Sequence, residues 1–457
     1  MFFYNGKIMK GQSIKPPSKI KVRKHLSADA LFDALRHGFI KIPEHRSGDI
    51  KISLADALMS GFAMFSLKDP SLLAFDERRK GNHNLNTIYG IGNIPCDTQM
   101  RIILDQVLPD YIRPMYKDIF RQLQRGKALE PMVFMEKYYL ISLDGTGIFS
   151  SHKLSSEYCL VKKNKKTNEV TYHQQMLGAS IIHPDLREVI PLAPEMIIKQ
   201  DGETKNDCER NAAKRFLEKL REDHPHLPII ITEDALSPNA PHIKELKKHN
   251  CHFILGVKPG DHEFLFNYVK NASIDGTSIK FDFIDEKNSK VRHQFHFINN
   301  VPLNKSNQDL LVNFLEYHEI SDKGIKHFSW VTDLTVTKDN AYQIMRGGRA
   351  RWKIENETFN TLKNQGYNLG HNYGLGEKHL SAIFAMLMML AFLVDQTQQL
   401  CCTLFKSVWK KLGSKRALWE HMRSLFHYFQ FESMEMLYKA LLFGIKFQPP
   451  VILSDTS

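Results

Sequence analysis

Hydrophobic and polar positions change their period three times along the chain. From Ser27 to about Lys127 apolar residues recur every three or four positions, as amphipathic helices require. Ser27 stands before ADALFDALRHGF, Ser53 before LADALMSGFAMFSL, and Asp97 opens TQMRIILDQVL, with YIRPMYKDIFRQLQRGK following. Serine and aspartate at such starts cap the first free N–H groups of a helix. After Met135 the pattern becomes that of strands: Tyr138 to Leu143 (YYLISL) runs into Asp144-Gly145-Thr146, where a turn is expected. Tyr158 to Lys162 and Val170 to His183 flank a Lys- and Asn-rich turn, and Pro184 ends that hairpin.

A loop through PLAPEMIIKQDG then leads to Asp207, the expected cap of the helix CERNAAKRFLEKLRED. Next come a buried strand, Ile229 to Thr232, ending at Glu233-Asp234, a helix (HIKELKKH) and another strand (HFILGV). This order predicts a mixed α/β core. Between about Lys258 and Asn340 the chain turns to alternation (IKFDFID, VRHQFHFIN, LLVNFLEYHEI, FSWVTDLTV), which predicts a β-rich insertion. Helical periods return afterwards. The organisation read from these patterns is a basic arm and helical region over 1–136, a core over 137–257, the insertion over 258–340, final core helices over 341–400 and a C-terminal helical region over 401–457.

The stretch Arg349 to Gly366 is the one the core is arranged to meet. At about 100° per residue, Arg351, Trp352, Phe359 and Leu362 all fall within about 60° of Glu355 on an α-helix, which puts a carboxylate on the apolar, core-facing side. An unpaired buried carboxylate costs several kcal/mol, so Glu355 either pairs with Arg351 one turn earlier or binds a cation. Glu357 points about 200° away by the same count and reads as a surface acid. Trp352 and Phe359 read as core, and Gly347-Gly348 as a turn that aims the helix.

The formal charge of +12 favours a polyanionic partner, nucleic acid or an acidic membrane surface. Arg- and Lys-bearing helices at the N-terminus suit a DNA-binding module and equally a plain helical cap. The arm KPPSKIKVRK suits DNA phosphates. Six cysteines without a CxxC point to reduced thiols in a cytoplasmic protein. The N-terminus has no continuous apolar stretch of signal-peptide type. The apolar run Ala382 to Val394 is too short to span a bilayer and reads as a core helix.

Asp144 and Asp234 each follow a buried apolar run, and strand ends of an α/β sheet are where such folds put their sites. Each is alone explicable as a turn or cap residue. Two acids on neighbouring strands repel unless a divalent cation lies between them. With Glu355 they make a set that can hold two Mg²⁺ ions for in-line phosphoryl displacement.

LDGTG at Leu143–Gly147, ITEDALSPNAPHI at Ile231–Ile243 and RWKIENETFNTLKNQG at Arg351–Gly366 resemble the three blocks of bacterial insertion-sequence transposases of the DDE class. KNDCERNAAKRFL and VKPGDHEFLF resemble that family too. The resemblance implies an RNase H-like core, two Mg²⁺ ions with Mn²⁺ able to substitute, and cleavage of element ends followed by strand transfer into target DNA. It implies Asp144, Asp234 and Glu355 as the catalytic, metal-binding triad. Arg351 and Lys363 correspond to basic residues that hold DNA phosphates, and Arg349, Tyr367 and His371 are further expected DNA contacts beside them. The partners expected are double-stranded DNA and a second copy of the chain when DNA is bound, with no membrane, in a nucleoid-associated bacterial setting. Two departures stand out: Gly348 occupies the place of a tyrosine, and Lys363 lies eight residues after Glu355 instead of seven. An RNase H-like nuclease without strand transfer, or a silent DNA-binding descendant, would share much of this sequence.

Overall fold

The computed structural model describes residues 24–80, 83–199, 205–235, 237–286 and 288–445. The basic arm up to residue 23 and the side chain of Asp207 lie outside the described residues; the helix expected to start at Asp207 begins at Lys205.

The strand-type runs become one mixed sheet. A short β1 (Val133–Phe134) pairs with β2 (Tyr138–Ser151), and the hairpin strands are β3 (Leu160–Lys163) and β4 (Val170–Ile182). The long strand β4 lies antiparallel to β2, and its other edge carries a broken strand made of β5 (Ile190–Pro191) and β6 (Glu195–Ile197). On the opposite side of β2 come β7 (Ile229–Glu233) and then β8 (His252–Gly256), both parallel. Three antiparallel positions followed by two parallel ones is the RNase H-like arrangement expected. Its all-buried β7 reads as a continuous apolar run because helices cover both faces.

The β-rich stretch is an extension of this sheet. Strands β9 (Ile279–Ile284), β10 (Arg292–Asn304), β11 (Asn307–Ser321) and β12 (Gly324–Thr332) form an antiparallel meander, and β12 pairs with β8 through Trp330–Gly256 and Val331–Leu255.

The helices α1 (Ala28–Ile40), α2 (Leu54–Ser66), α3 (Leu72–Arg79), α4 (Asn84–Thr87), α5 (Asp97–Asp105) and α6 (Arg113–Arg125) precede the sheet. Ser27 and Ser53 accept from the N–H groups of Ala30 and Asp56, the caps expected; Asp97 is the first residue of α5, with Cys96 before it. Within the sheet region lie α7 (Lys205–Asp223), α8 (Ala240–Lys248) and α9 (Glu263–Ile274). Alternation alone had been expected after Lys258, but α9 buries Leu265, Val269 and Ala272 at helical spacing against β10. After the sheet come α10 (Ala341–Ala350), α11 (Asn360–Asn364), α12 (Leu380–Cys401), α13 (Thr403–Leu412), α14 (Lys415–Tyr428) and α15 (Met434–Phe443).

N- and C-terminal helices form one body around α12. Every residue of α12 except Leu400 is buried, as is every residue of α2, which packs along it. By length and composition α12 is apolar enough to cross a bilayer, but its apolar window is wholly enclosed by protein, the situation of a core helix. Polar groups stitch the two ends together. Asn84 donates to the carbonyls of Phe426 and Phe429, and Asp29 accepts from Met434 and Glu435 at the start of α15. Lys68 is fully buried, 2.6 Å from Asp395 of α12, with its ammonium over the rings of Tyr367 and Trp419. Asp105, at the end of α5, accepts from the N–H groups of Glu377, Lys378, His379 and Leu380 and so satisfies the free donors at the start of α12.

Candidate active site

The parallel pairing of β2 with β7 ends at Ser142–Thr232. Asp144 and Asp234 each lie two residues beyond that last pair, so equal register brings them side by side on strands about 4.8 Å apart. The two positions differ in one respect from expectation. Asp234 does follow its strand, but Asp144 is not at a turn: β2 continues to Ser151, paired there with β4 alone. Asp144 therefore stands on the ledge left where β7 stops. Both acids line one small cavity of about 30 Å³, room for a water-sized occupant, together with Glu209, Arg210, Glu233 and His242.

Glu355 is carried in from the far end of the chain. Helix α10 ends at Ala350, and the backbone resumes as a π-helical segment, Ile354–Phe359, before α11. Across the break the Arg351 carbonyl accepts from the Ile354 N–H and also from Ser142 Oγ at 3.1 Å, two residues before Asp144 on β2. A second tie joins Thr358 to Ser180 of β4 at 3.2 Å. The Phe359 ring lies against Gly178, the residue opposite Asp144; a Cβ there would sit 2.6 Å from the ring, so no larger residue lets the segment approach.

The wider π turn rotates the chain by less than an α-helix does per residue, and this overturns the facial assignment. Glu355 is not core-facing but about half exposed, and Trp352 is 57% exposed, whereas Phe359 and Leu362 are buried. Glu355 accepts from Arg351 Nη1 at 2.7 Å. Glu357 faces away, toward Arg187 at 4.0 Å, and is half-buried instead of a fully solvated acid.

The electrostatics report the gathering of the three acids. Burial first, and then the charge of Glu355, push the Asp144 carboxyl up to about 6; Arg351 and the Gly145 N–H pull it down, and Asp234 adds to the rise. Asp144 is thus close enough to Glu355 and Asp234 for both charges to act on it, and such a gathering of carboxylates suits a divalent cation.

Several residues beside the triad were missed in the sequence. Glu209 of α7 faces the Gly145 backbone so closely that a Cβ there would lie 2.2 Å from its carboxylate. One more acid on a helix rich in charges gives no signal by itself. Helix α7 is held to the sheet by Arg215 and Lys219 on Glu195 of β6. Glu233, next to Asp234, is buried with His242 at 2.5 Å; burial alone lowers the imidazole, but the Glu233 charge and hydrogen bond outweigh it and the net shift is upward.

A groove of about 500 Å³ adjoins the acids, lined by Asp234, Lys258, His327, Trp330, Arg349, Arg351 and the exposed Trp352. Arg349 lies in this wall, paired with Glu319 at 2.7 Å and stacked on Phe328. Lys363 is exposed on α11. Tyr367 is a correction: it is 3% exposed and its hydroxyl donates to Asp395, so it is part of the helical core and no DNA contact. His371 is exposed, edge-on to Tyr373, which itself packs on Phe65 of α2, and it lines neither cavity that holds the aspartates. Gly347 and Gly348 make no turn: both lie inside α10. A Cβ on Gly348 would meet the Trp330 indole at 2.3 Å, so that indole fills the place where the resemblance has a tyrosine.

A family model described as "Transposase DDE domain" matches residues 135–393, more than half of the chain and all three acids. The chain belongs to this family. It is a DDE transposase, and divalent metals are the cofactors of such enzymes. A solved structure similar to it is that of "piggyBac transposase synaptic complex with hairpin DNA", at 11% identity and a TM-score of 0.35 over 93% of this chain and 77% of the other. Comparison with curated proteins gives no match.

Proposed function

We propose that this transposase cleaves the ends of its own element and joins them to target DNA by two-metal phosphoryl transfer, with Asp144, Asp234 and Glu355 as the catalytic, metal-binding acids. The observation that carries the reading is the matched register of the two aspartates beyond the last β2–β7 pair, with Asp144 raised by burial and then by the neighbouring Glu355 and Asp234 charges. The donor set fits hard cations, since it offers carboxylate oxygens on a pre-built ledge. When bound, two Mg²⁺ or Mn²⁺ ions supply activation of the attacking oxygen and charge neutralisation on the leaving one. The chain's own part is to hold the acids aligned, through the Ser142–Arg351 and Ser180–Thr358 ties that fix the Glu355 segment against β2 and β4.

Lys258, Arg349 and Arg351 line the groove that adjoins Asp234 and suit a phosphodiester backbone; Trp352 offers an exposed ring for an unpaired base. Lys363 and His371 lie further out as backbone contacts. Acting on two ends at once calls for a dimer on DNA, and a bacterial nucleoid is the fitting location. The test is Mg²⁺-dependent cleavage and joining on a supercoiled plasmid carrying the element ends, with Glu355→Gln and Glu357→Gln. The expected result is that wild type and Glu357→Gln cut and join, while Glu355→Gln binds without cutting. A dead Glu357→Gln with an active Glu355→Gln overturns the site; cutting without joining makes the protein a nuclease, and binding alone a silent DNA-binding protein.

A further inference from the structure

The sheet extension carries a second cluster of ligating side chains that phosphoryl transfer does not use. Glu316 and His318 are two residues apart on β11 and so share a face. His327 on β12 is the register partner of His318, and His296 on β10 is that of Glu316. One ligating atom from each of Glu316, His318 and His327 lies within 4.8 Å of the others. The two imidazoles are stacked, 4.5 Å apart and 12° from parallel. Glu316 Oε1 is 2.8 Å from His327 Nε2, and its Oε2 is 3.0 Å from His296 Nδ1. His296 is fixed in turn by Ser278 at 2.9 Å on its other nitrogen.

We propose that Glu316, His318 and His327 form a binding site for one zinc-class divalent ion. Two imidazoles and one carboxylate are a zinc donor set with a fourth position left for water. Tetrahedral zinc holds its ligand atoms about 3.4 Å apart, so the Glu316–His327 pair must open slightly and the widest pair close, within the rotations of an exposed His327 ring. His296 acts on the carboxylate from behind, orienting it through a hydrogen bond as outer-shell residues of zinc sites do. Carboxylate oxygens alone suit Mg²⁺ and imidazoles suit zinc, so the two sites favour different ions. His327 also lines the groove beside Asp234. A metal tying β11 to β12 there would stiffen that wall of the groove.

The experiment is zinc analysis by plasma emission on full-length protein, equilibrated with micromolar zinc and passed over a chelating resin. Wild type, His318→Gln, His327→Gln, Glu316→Gln and Asp234→Asn are compared, with circular dichroism to check each fold. One zinc per chain is expected in wild type and Asp234→Asn, and none in His318→Gln, His327→Gln or Glu316→Gln. His296→Ala should weaken binding roughly tenfold. No retained zinc in wild type, or equal zinc in all variants, overturns the site. X-ray absorption on zinc-loaded wild type decides the matter without any variant: imidazole scattering is expected, and sulfur or purely carboxylate ligation refutes the assignment.

Discussion

Replacing Asp144 by Asn should stabilise the metal-free protein. The carboxyl is raised from an ordinary 3.8 to about 6 by burial and by the Glu355 charge, so folding favours its protonated form. For an acid shifted upward, the destabilisation is fully present above the folded value and fades as pH falls toward the unfolded one. A shift of that size corresponds to about 3 kcal/mol at pH 8, as an upper bound, at about 1.4 kcal/mol per unit. By the same linkage about half of it remains at pH 5 and little at pH 4. Urea unfolding in the presence of EDTA, for wild type and Asp144→Asn from pH 8 to pH 4.5, measures this directly. The variant should be more stable at pH 8, with the difference shrinking through pH 6 to 4. Adding Mg²⁺ should stabilise wild type and leave the variant nearly unmoved, because the ion relieves the repulsion that the substitution removes. A stability difference that stays constant with pH, or a variant less stable at pH 8, would refute the idea that burial and the neighbouring charges raise Asp144.

The same carboxyl predicts that Mn²⁺ affinity, followed by calorimetry, falls as pH drops through 6, since the protonated form is a poor ligand; affinity flat between pH 5 and 8 would count against Asp144 as a ligand. Lys68→Met should cost about 3–5 kcal/mol in denaturant unfolding by leaving Asp395 charged and buried. Asp105→Ala removes the side-chain acceptor of Glu377, Lys378 and Leu380 N–H at the start of α12, His379 keeping the Asp105 carbonyl, and should cost about 2 kcal/mol by the same measurement. Trp352→Ala, being exposed, should change stability by less than about 0.5 kcal/mol yet weaken single-stranded end binding roughly tenfold in a fluorescence titration.

The strands of the core were legible because short apolar runs bounded by Gly, Pro and Asp have few other readings; β7 and β8 came out within a residue of their ends. Asp234 was legible for the same reason. The extent of β2 was not, since Asp144-Gly145 resembles a turn until β4 is known to continue beside it. Tyr367 read as a DNA contact because its burial depends on Lys68, Asp395 and Trp419, three segments far apart in the chain. Gly347-Gly348 read as a turn because nothing local reveals the Trp330 indole that requires a helix without side chains at that point. The face of Glu355 was misjudged because 100° per residue presumes an unbroken α-helix, and neither the break after Ala350 nor the π segment leaves a compositional mark.

That π segment also changes how spacing should be counted in this family. A π turn is a way for a helix to accept one extra residue without rotating everything that follows. Here it runs from Ile354 to Phe359, taking in Glu355, and Lys363 follows on α11. A spacing of eight residues from the glutamate to Lys363 therefore crosses wider turns than the same count on a regular helix. Residue count alone is thus a poor ruler across this segment, and angular position along the helix is the better one.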